Sequence, residues 1–203
     1  MPIKRKFLVA VCGASGSIYA ERLVVALLPL SSRIYLIFSD TGKQVSEFEL
    51  SGLKDSVLKR ALSKKLATDE QEIIRIFSNT DLFSPVASGS SSPDSMVIVP
   101  SSMGTIGRIS MGVSSNLIER SADVILKQKK QLIVCPRESP LNLIHLRNMT
   151  QLAEAGAEIL PLMPAFYHKP SSMDDLVNFC VGRILEQLNL DHDFYKPWNH
   201  RMT

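Results

Sequence analysis

A short turn of glycine and serine, residues 13–17 with the sequence GASGS, follows an apolar run and precedes a segment with helical spacing. Backbone N–H groups at the start of a helix bind phosphate, and small residues let such a ligand approach closely. The dinucleotide pattern GxGxxG is absent, so the turn favours a mononucleotide over NAD. The alternative is a plain strand-to-helix turn capped by Ser15 or Ser17.

A second candidate ligand loop spans residues 100–105, with the sequence PSSMGT, and again follows an apolar run. Its hydroxyl and N–H groups suit a phosphate or the edge of a heterocycle, but serine and threonine caps are common, and a simple cap is the alternative. Serine and glycine are enriched from 84 to 115, but the strand-like run 96–99 lies within this stretch. We therefore expect the loop to belong to the folded core and not to a linker.

Charged residues that could meet a ligand lie in two further segments. Arg120 and Lys127 are seven residues apart, which places both on one face of a helix. Arg137 and Glu138 stand between two prolines after a strand-like run, a position where functional loops concentrate. A solvated helix face and a surface ion pair are the ordinary alternatives.

Tyr167 lies in the segment PAFYHKP, and Arg183 lies in the helix-like segment that follows. A phenol and a guanidinium could reach one phosphate together, because arginine forms two parallel hydrogen bonds to it. A half-buried core aromatic is the alternative for Tyr167. The four histidines show no HExxH spacing, and no local signature assembles a Ser/His/Asp site, so neither a metal site nor a serine hydrolase is predicted.

The elements that must position these residues alternate along the chain. Apolar runs rich in valine and isoleucine lie at 7–12, 33–39, 73–77, 96–100, 132–135 and 158–160. They show little period-2 alternation, which is typical of parallel strands covered by helices on both faces. Helices are predicted at 17–28, 116–129, 142–155 and 173–188. The sequence therefore predicts an α/β fold, a three-layer α/β/α sandwich around a doubly wound parallel sheet.

Length and composition set the remaining limits. The 203 residues support one domain, 1–188, followed by a tail, 189–203, which we expect to pack on the domain or on a neighbouring subunit. The net charge is only +3 without a long basic stripe, so nucleic-acid binding is not predicted. Three widely spaced cysteines fit a reducing cytoplasm, and the first apolar run is too short to span a membrane.

Eight motifs occur in register from about residue 7 to 190, and together they resemble the UbiX family of flavin prenyltransferases. They are GASG at 13–16, ASGS at 87–90, NLIER at 116–120, ADV at 122–124, PRE at 136–138, IHL at 144–146 with NM at 148–149, PAFYH at 164–168, and DDLV at 174–177 with GR at 182–183.

The resemblance implies a Rossmann-like or flavodoxin-like flavoprotein that works as a homo-oligomer, trimer-based and up to a dodecamer. It implies transfer of a dimethylallyl group from dimethylallyl phosphate to N5 of reduced FMN, a second bond to C6 and no metal. The product would serve UbiD-type decarboxylases in ubiquinone biosynthesis or aromatic acid metabolism. Whether the donor is a monophosphate or a diphosphate stays open.

The resemblance also implies roles for individual residues. Positions that contact FMN match Gly13, Ala14, Ser15, Ser39, Ser102, Met103, Gly104, Thr105 and Arg137. Positions that hold the prenyl phosphate match Arg120, Lys127, Tyr167 and Arg183. Positions implicated in proton transfer match Ser15, Glu49 and Glu138, and we expect Glu138 beside Arg137 and near Lys127. The chain departs from many relatives at Ser101, usually cysteine, and at Gly104, often lysine.

Two alternative functions compete with the prenyltransferase. The first is an FMN-dependent cysteine decarboxylase of the same fold, whose members carry a catalytic histidine after the second strand and a Pro-x-Met-Asn motif. Here residues 39–42 read SDTG, and that motif is absent. The second is a non-catalytic flavin-binding regulatory subunit. Loss of the cations that bind phosphate would favour this alternative, but all four predicted phosphate ligands are present.

Overall fold

A single parallel sheet of six strands organises the chain, and a computed structural model describes residues 5–198. The strands are β1 (Arg5–Val11), β2 (Ser31–Phe38), β3 (Ile74–Ser78), β4 (Ser95–Ser101), β5 (Gln131–Pro136) and β6 (Glu158–Ile159). Their order is β3-β2-β1-β4-β5-β6, and every neighbouring pair is parallel. The order reverses between β1 and β4, and ligands of open α/β sheets bind beyond the strand ends at such a point.

Eight α-helices lie in the described part of the chain, seven of them between strands and the last one after β6. They are α1 (Ser17–Leu27), α2 (Asp40–Glu49), α3 (Val57–Leu62), α4 (Thr68–Ile73), α5 (Met103–Ser110), α6 (Leu117–Lys127), α7 (Leu143–Glu154) and α8 (Met173–Gln187). The predicted sandwich is confirmed, and α1, α6, α7 and α8 lie within two residues of their predicted bounds. No bounds were predicted for α2 to α5, and the six-residue helices α3 and α4 were not predicted at all.

The helices divide between the two faces of the sheet. Leu23 of α1, Val57 of α3 and Val181 of α8 belong to one buried cluster. Ile106 of α5 and Ile118 of α6 belong to the cluster on the other face. The sheet therefore separates α6 from α8, which matters for the predicted phosphate ligands on these two helices.

The chain after α8 folds back on that helix. Leu190 and Phe194 pack against the core cluster that contains α8, and the Tyr195 ring lies 4.7 Å from that of Phe179. The last part of the predicted tail, residues 199–203, lies outside the described residues. The longest described helix, α8, has 15 residues, and none in 5–198 has the length and apolar character needed to cross a membrane.

Candidate functional site

The carboxylate of Glu49 occupies the start of α1. Its Oε2 accepts hydrogen bonds from the Gly16 N–H at 2.9 Å and from the Ser17 N–H at 2.8 Å. Gly16 has a φ of 118°, a left-handed conformation that glycine adopts most readily, and this turns both N–H groups toward Glu49. The prediction that these two N–H groups are free to bind a phosphate is therefore wrong, because the chain's own carboxylate fills this anion site.

The surroundings of Glu49 keep it ionised. Burial raises the pKa of this carboxyl, but hydrogen bonds from the Ser15 side chain and from the N–H groups of Gly16 and Ser17 outweigh burial and hold the pKa below its usual range. The carboxylate is therefore charged at neutral pH. It can accept a proton that reaches it through the Ser15 hydroxyl.

A cleft of about 500 Å³ opens beside this carboxylate. Ser15, Gly16, Glu49 and Arg137 line it together with the apolar side chains of Ile18, Leu50, Leu53, Leu162 and Met173. The Arg137 Nε donates to the Ser15 carbonyl oxygen at 3.0 Å, which ties the loop after β5 to the turn after β1. Three residues predicted for cofactor binding or proton transfer, Ser15, Glu49 and Arg137, thus share one cleft with an apolar lining.

Backbone hydrogen bonds join the loops at this edge of the sheet. The Cys12 N–H donates to the Pro100 carbonyl at 3.2 Å, and the Ser39 N–H donates to the Val11 carbonyl at 3.0 Å. The Arg137 N–H completes the series with a bond of 3.3 Å to the Ser101 carbonyl. The segments that carry Gly13, Ala14, Ser39, Ser102 and Arg137 therefore converge, as expected for the carboxyl ends of parallel strands.

Two of the predicted FMN-contacting serines are helix caps. The Ser39 Oγ accepts from the Gly42 N–H at 2.9 Å, and the Ser102 Oγ accepts from the Thr105 N–H at 3.4 Å. A capping hydroxyl uses an oxygen lone pair, so the Ser39 O–H can still donate to a ligand. The Ser102 hydroxyl also lies 3.0 Å from the Thr105 Oγ1, and either of these two oxygens can be the donor in that contact.

The residues that follow Ser102 differ in exposure. The Met103 side chain is buried in the hydrophobic cluster that contains α5, and Gly104 is exposed. Met103 can therefore contact a ligand only through its backbone.

The structure places Glu138 differently from the prediction made from the sequence. Its side chain is exposed, and its Oε1 accepts a hydrogen bond from the N–H of the next residue, Ser139, at 3.0 Å. Within residues 5–198, neither Arg137 nor Lys127 lies within ion-pair distance of this carboxylate. Within one copy of the chain Glu138 and Lys127 are therefore not neighbours, because Lys127 precedes the first residue of β5 and Glu138 follows its last, so that the length of the strand separates them.

Tyr167 and Arg183 meet in an aromatic cluster at α8. The Tyr167 ring makes edge contacts with Phe179 at 5.8 Å and with Trp198 at 5.2 Å between centroids. Arg183 is exposed and pairs with Glu186 one turn later. Hydrogen bonding to Tyr195 contributes most to the raised pKa of Arg183, and Tyr167 is close enough to add to it. The two predicted phosphate ligands are thus neighbours.

Arg120 and Lys127 lie across the sheet from that cluster. Arg120 donates to the Ala87 carbonyl at 3.3 Å and to Asp123 at 2.9 Å, and Lys127 is exposed at the end of α6. One chain therefore does not bring all four predicted phosphate ligands together. The contacts of Arg183 with Glu186 and Tyr195 were not predicted, although the spacing of three between Arg183 and Glu186 indicates a pair on one helix face.

Known proteins resemble this chain over nearly its whole length. The family model described as Flavoprotein matches residues 2–185. The flavin prenyltransferase UbiX of Methanocaldococcus jannaschii is 45% identical over 193 residues, which cover 95% of this chain and 98% of that protein.

Two solved structures are also similar over nearly the whole chain. AnUbiX in complex with FMN and dimethylallyl pyrophosphate has a TM-score of 0.84 and 36% identity, with 97% of this chain and 98% of that one covered. A dodecameric FMN-dependent UbiX-like decarboxylase from Escherichia coli O157:H7 has a TM-score of 0.84 and 32% identity, with coverages of 96% and 99%. The strand-end cleft, the aromatic cluster and these similarities lead to one conclusion: the chain belongs to the flavoprotein family and, within it, to the flavin prenyltransferases of the UbiX type.

Proposed function

We propose that this protein transfers the dimethylallyl group of dimethylallyl phosphate to N5 and C6 of reduced FMN and releases phosphate. The observation that carries the proposal is the ionised Glu49 beside the Ser15 hydroxyl in the cleft at the strand ends. A flavin prenyltransferase 45% identical over 95% of the chain supports the reaction class. This similarity favours a prenyltransferase over a cysteine decarboxylase or a regulatory subunit.

The strand-end loops suit FMN. The converging segments offer the Ser39 and Ser102 hydroxyls, the backbone around Gly13, Ala14, Met103, Gly104 and Thr105, and the Arg137 guanidinium. An apolar lining with a few fixed polar groups is typical of cofactor sites. When bound, reduced FMN supplies the nucleophilic atoms N5 and C6. Ser15 and Glu49 would accept a proton released at the acceptor, since Glu49 is charged at neutral pH.

The donor would bind at Tyr167 and Arg183. When the allylic C–O bond breaks, the phosphate leaves with the bonding electrons, and fixed cations and hydrogen-bond donors must stabilise that charge. Arg183 supplies a permanent charge and Tyr167 a neutral O–H. Glu138, exposed at the end of β5, is the second group proposed for proton transfer.

Arg120 and Lys127 would act on the donor from a neighbouring copy of the chain, because the sheet separates α6 from α8 within one copy. We therefore propose a homo-oligomer in which α6 of one subunit faces α8 of another. The dodecameric relative from Escherichia coli supports a homo-oligomer, and we propose trimers as its building unit. We further propose that the protein works in the cytoplasm, where its three buried cysteines stay reduced, and that UbiD-type decarboxylases accept the product.

The proposal is tested by incubating the purified protein with reduced FMN and dimethylallyl phosphate without oxygen and recording the mass of the flavin. We expect a flavin heavier by one C₅H₈ unit together with one equivalent of inorganic phosphate. A parallel reaction with dimethylallyl diphosphate identifies the preferred donor, and oxidised FMN is the control that should give no product. Unchanged FMN with either donor would contradict the proposal, and release of CO₂ from a cysteine-ended peptide would favour the decarboxylase.

A further inference from the structure

A chain of polar contacts links Arg183 to the segment that follows α8. The Arg183 Nη1 donates to Glu186 Oε2, and the Tyr195 hydroxyl donates to Glu186 Oε1. The His192 Nε2 lies 3.5 Å from the same Oε1, and the His192 side chain is only 9% exposed. Both oxygens of the Glu186 carboxylate are therefore engaged, one by the arginine and one by the returning chain.

The returning chain reaches Glu186 because residue 182 has no side chain. A Cβ at Gly182 would lie 2.6 Å from the Tyr195 Cε1 and 2.8 Å from the His192 Cε1, well inside contact distance. The Tyr195 ring packs 4.7 Å from that of Phe179, and the His192 ring lies 5.3 Å from that of Tyr195. Both rings therefore pack against α8 at Gly182, where a larger residue would collide with them.

The protonation states suit this arrangement. Burial first, and then the hydrogen bond to Glu186, raise the pKa of Tyr195 to about 12, so its hydroxyl remains a neutral donor. The hydrogen bond with Tyr195 and the charge of Glu186 raise the pKa of Arg183, which keeps its full charge. At neutral pH the Tyr195 hydroxyl therefore stays protonated and the Arg183 guanidinium stays charged, so both remain hydrogen-bond donors.

We propose that Glu186, held by Tyr195 and His192, is a positioning residue that orients the Arg183 guanidinium toward the prenyl phosphate. The inference rests on the proposed function, in which Arg183 binds that phosphate. A free arginine loses side-chain entropy when it is fixed in one rotamer. An exposed arginine already held at one edge loses less on binding, and its remaining N–H donors stay available to the ligand.

The sign of the effect distinguishes positioning from competition. If Glu186 only competed with the phosphate for Arg183, its removal would free the guanidinium and tighten donor binding. If Glu186 positions Arg183, its removal weakens donor binding although the site becomes more positive. Donor affinity, and not overall activity, is therefore the decisive quantity.

The test measures KM and kcat for dimethylallyl phosphate and the Kd of FMN for Glu186→Ala, Glu186→Gln and Gly182→Ala. Gly182→Ala leaves Glu186 and Arg183 in place but displaces the rings of Tyr195 and His192. Alanine is a better helix former than glycine, so the helix itself should not be weakened. We expect KM to rise about five- to tenfold in Glu186→Ala and Gly182→Ala, because the Arg183 side chain must then be ordered when the donor binds. The KM of Glu186→Gln should lie between those of the wild type and Glu186→Ala. We expect kcat and FMN affinity to stay nearly constant in all three variants.

Two controls separate this inference from the proposed function. Glu154→Gln, at an exposed glutamate in α7, should change nothing, and Arg183→Ala should raise KM more than any other variant. An unchanged or lower KM in both Glu186→Ala and Gly182→Ala, with a raised KM in Arg183→Ala, would overturn the positioning role alone. An unchanged KM in Arg183→Ala would remove the assignment of Arg183 to the phosphate, and with it this inference.

Discussion

The strand-end cleft and the aromatic cluster at α8 are built on different principles. In the cleft, backbone groups of neighbouring strand-end loops fix the polar residues, and two N–H groups hold Glu49. In the cluster, rings from separate segments surround Tyr167, and a side-chain pair with Glu186 holds Arg183. The cleft depends on the sheet, whereas the cluster depends on how the chain after α8 returns to that helix.

This difference predicts different sensitivities to substitution. Loops anchored by backbone hydrogen bonds tolerate a changed side chain without moving, so a substitution there should remove only the role of that side chain, in proton transfer or in FMN contact. A cluster held by side chains moves when one contact is lost, so substitutions there should alter donor binding even when the substituted residue does not touch the donor. Variants of the two regions should therefore affect different ligands and different steps.

The largest effect is expected for Glu138→Gln. Glutamine keeps the shape of the side chain but cannot exchange a proton, and general acid–base catalysis contributes about 10²- to 10⁴-fold to rates. Because Glu138 is exposed and bonds only to its neighbour Ser139 within the described residues, melting temperature and ligand affinities should not change. Anaerobic single-turnover absorbance measures the rates of attachment at N5 and of ring closure. Normal rates in both phases would show that Glu138 takes no part in proton transfer.

A smaller effect, on affinity, is expected for Arg183→Ala. Loss of a charge-assisted contact to phosphate should weaken use of the prenyl donor by about 2 kcal/mol, or about thirtyfold in kcat/KM. FMN affinity should stay nearly constant, because Arg183 does not line the strand-end cleft that we assign to FMN. Steady-state kinetics over a range of donor concentrations, with FMN titrations alongside, measure both quantities. Arg183→Lys should recover part of the loss, since the charge is kept and the paired hydrogen bonds are not.

The smallest effect concerns stability and pH in Glu49→Gln. The folded-state pKa of Glu49 is lowered, so its contribution to stability is present above the unfolded pKa of about 4.3 and is lost as pH falls through the folded pKa. We expect the variant to be about 1 kcal/mol less stable at neutral pH, from weakened hydrogen bonds. The two proteins should converge only as pH falls below the folded pKa of Glu49, which lies under the unfolded value.

Urea unfolding of both proteins from pH 3 to 7 measures this difference. Glu138→Gln serves as the matched control, because its carboxylate accepts only from the N–H of Ser139 within residues 5–198 and should leave the pH profile unchanged. A constant difference between wild type and Glu49→Gln at every pH would show that the charge of Glu49 does not stabilise the fold.

The sheet and the long helices could be predicted from the sequence because their signals are local. A continuous apolar run identifies a strand covered on both faces, and the 3.6-residue period identifies α1 and α6 through α8. The helices α3 and α4 have only six residues each, too few to show that period.

Contacts across long sequence separations could not be predicted from patterns. Thirty-three residues separate Gly16 from Glu49, so nothing near the turn indicated that its N–H groups were already taken. Only the resemblance to a family suggested Glu49 as a functional residue. The contact between Gly182 and Tyr195 likewise depends on how the chain returns after α8, which no periodicity encodes.

The central claim is that the two regions hold two different ligands of one reaction, the cleft FMN and the cluster the prenyl phosphate. The most direct test measures FMN affinity by flavin fluorescence, and the KM for dimethylallyl phosphate, in Arg137→Ala and Arg183→Ala side by side. We predict a crossed result, in which Arg137→Ala weakens FMN binding about tenfold while Arg183→Ala raises only the donor KM. Loss of FMN binding in Arg183→Ala with normal donor use, or equal losses of both ligands in both variants, would contradict the account.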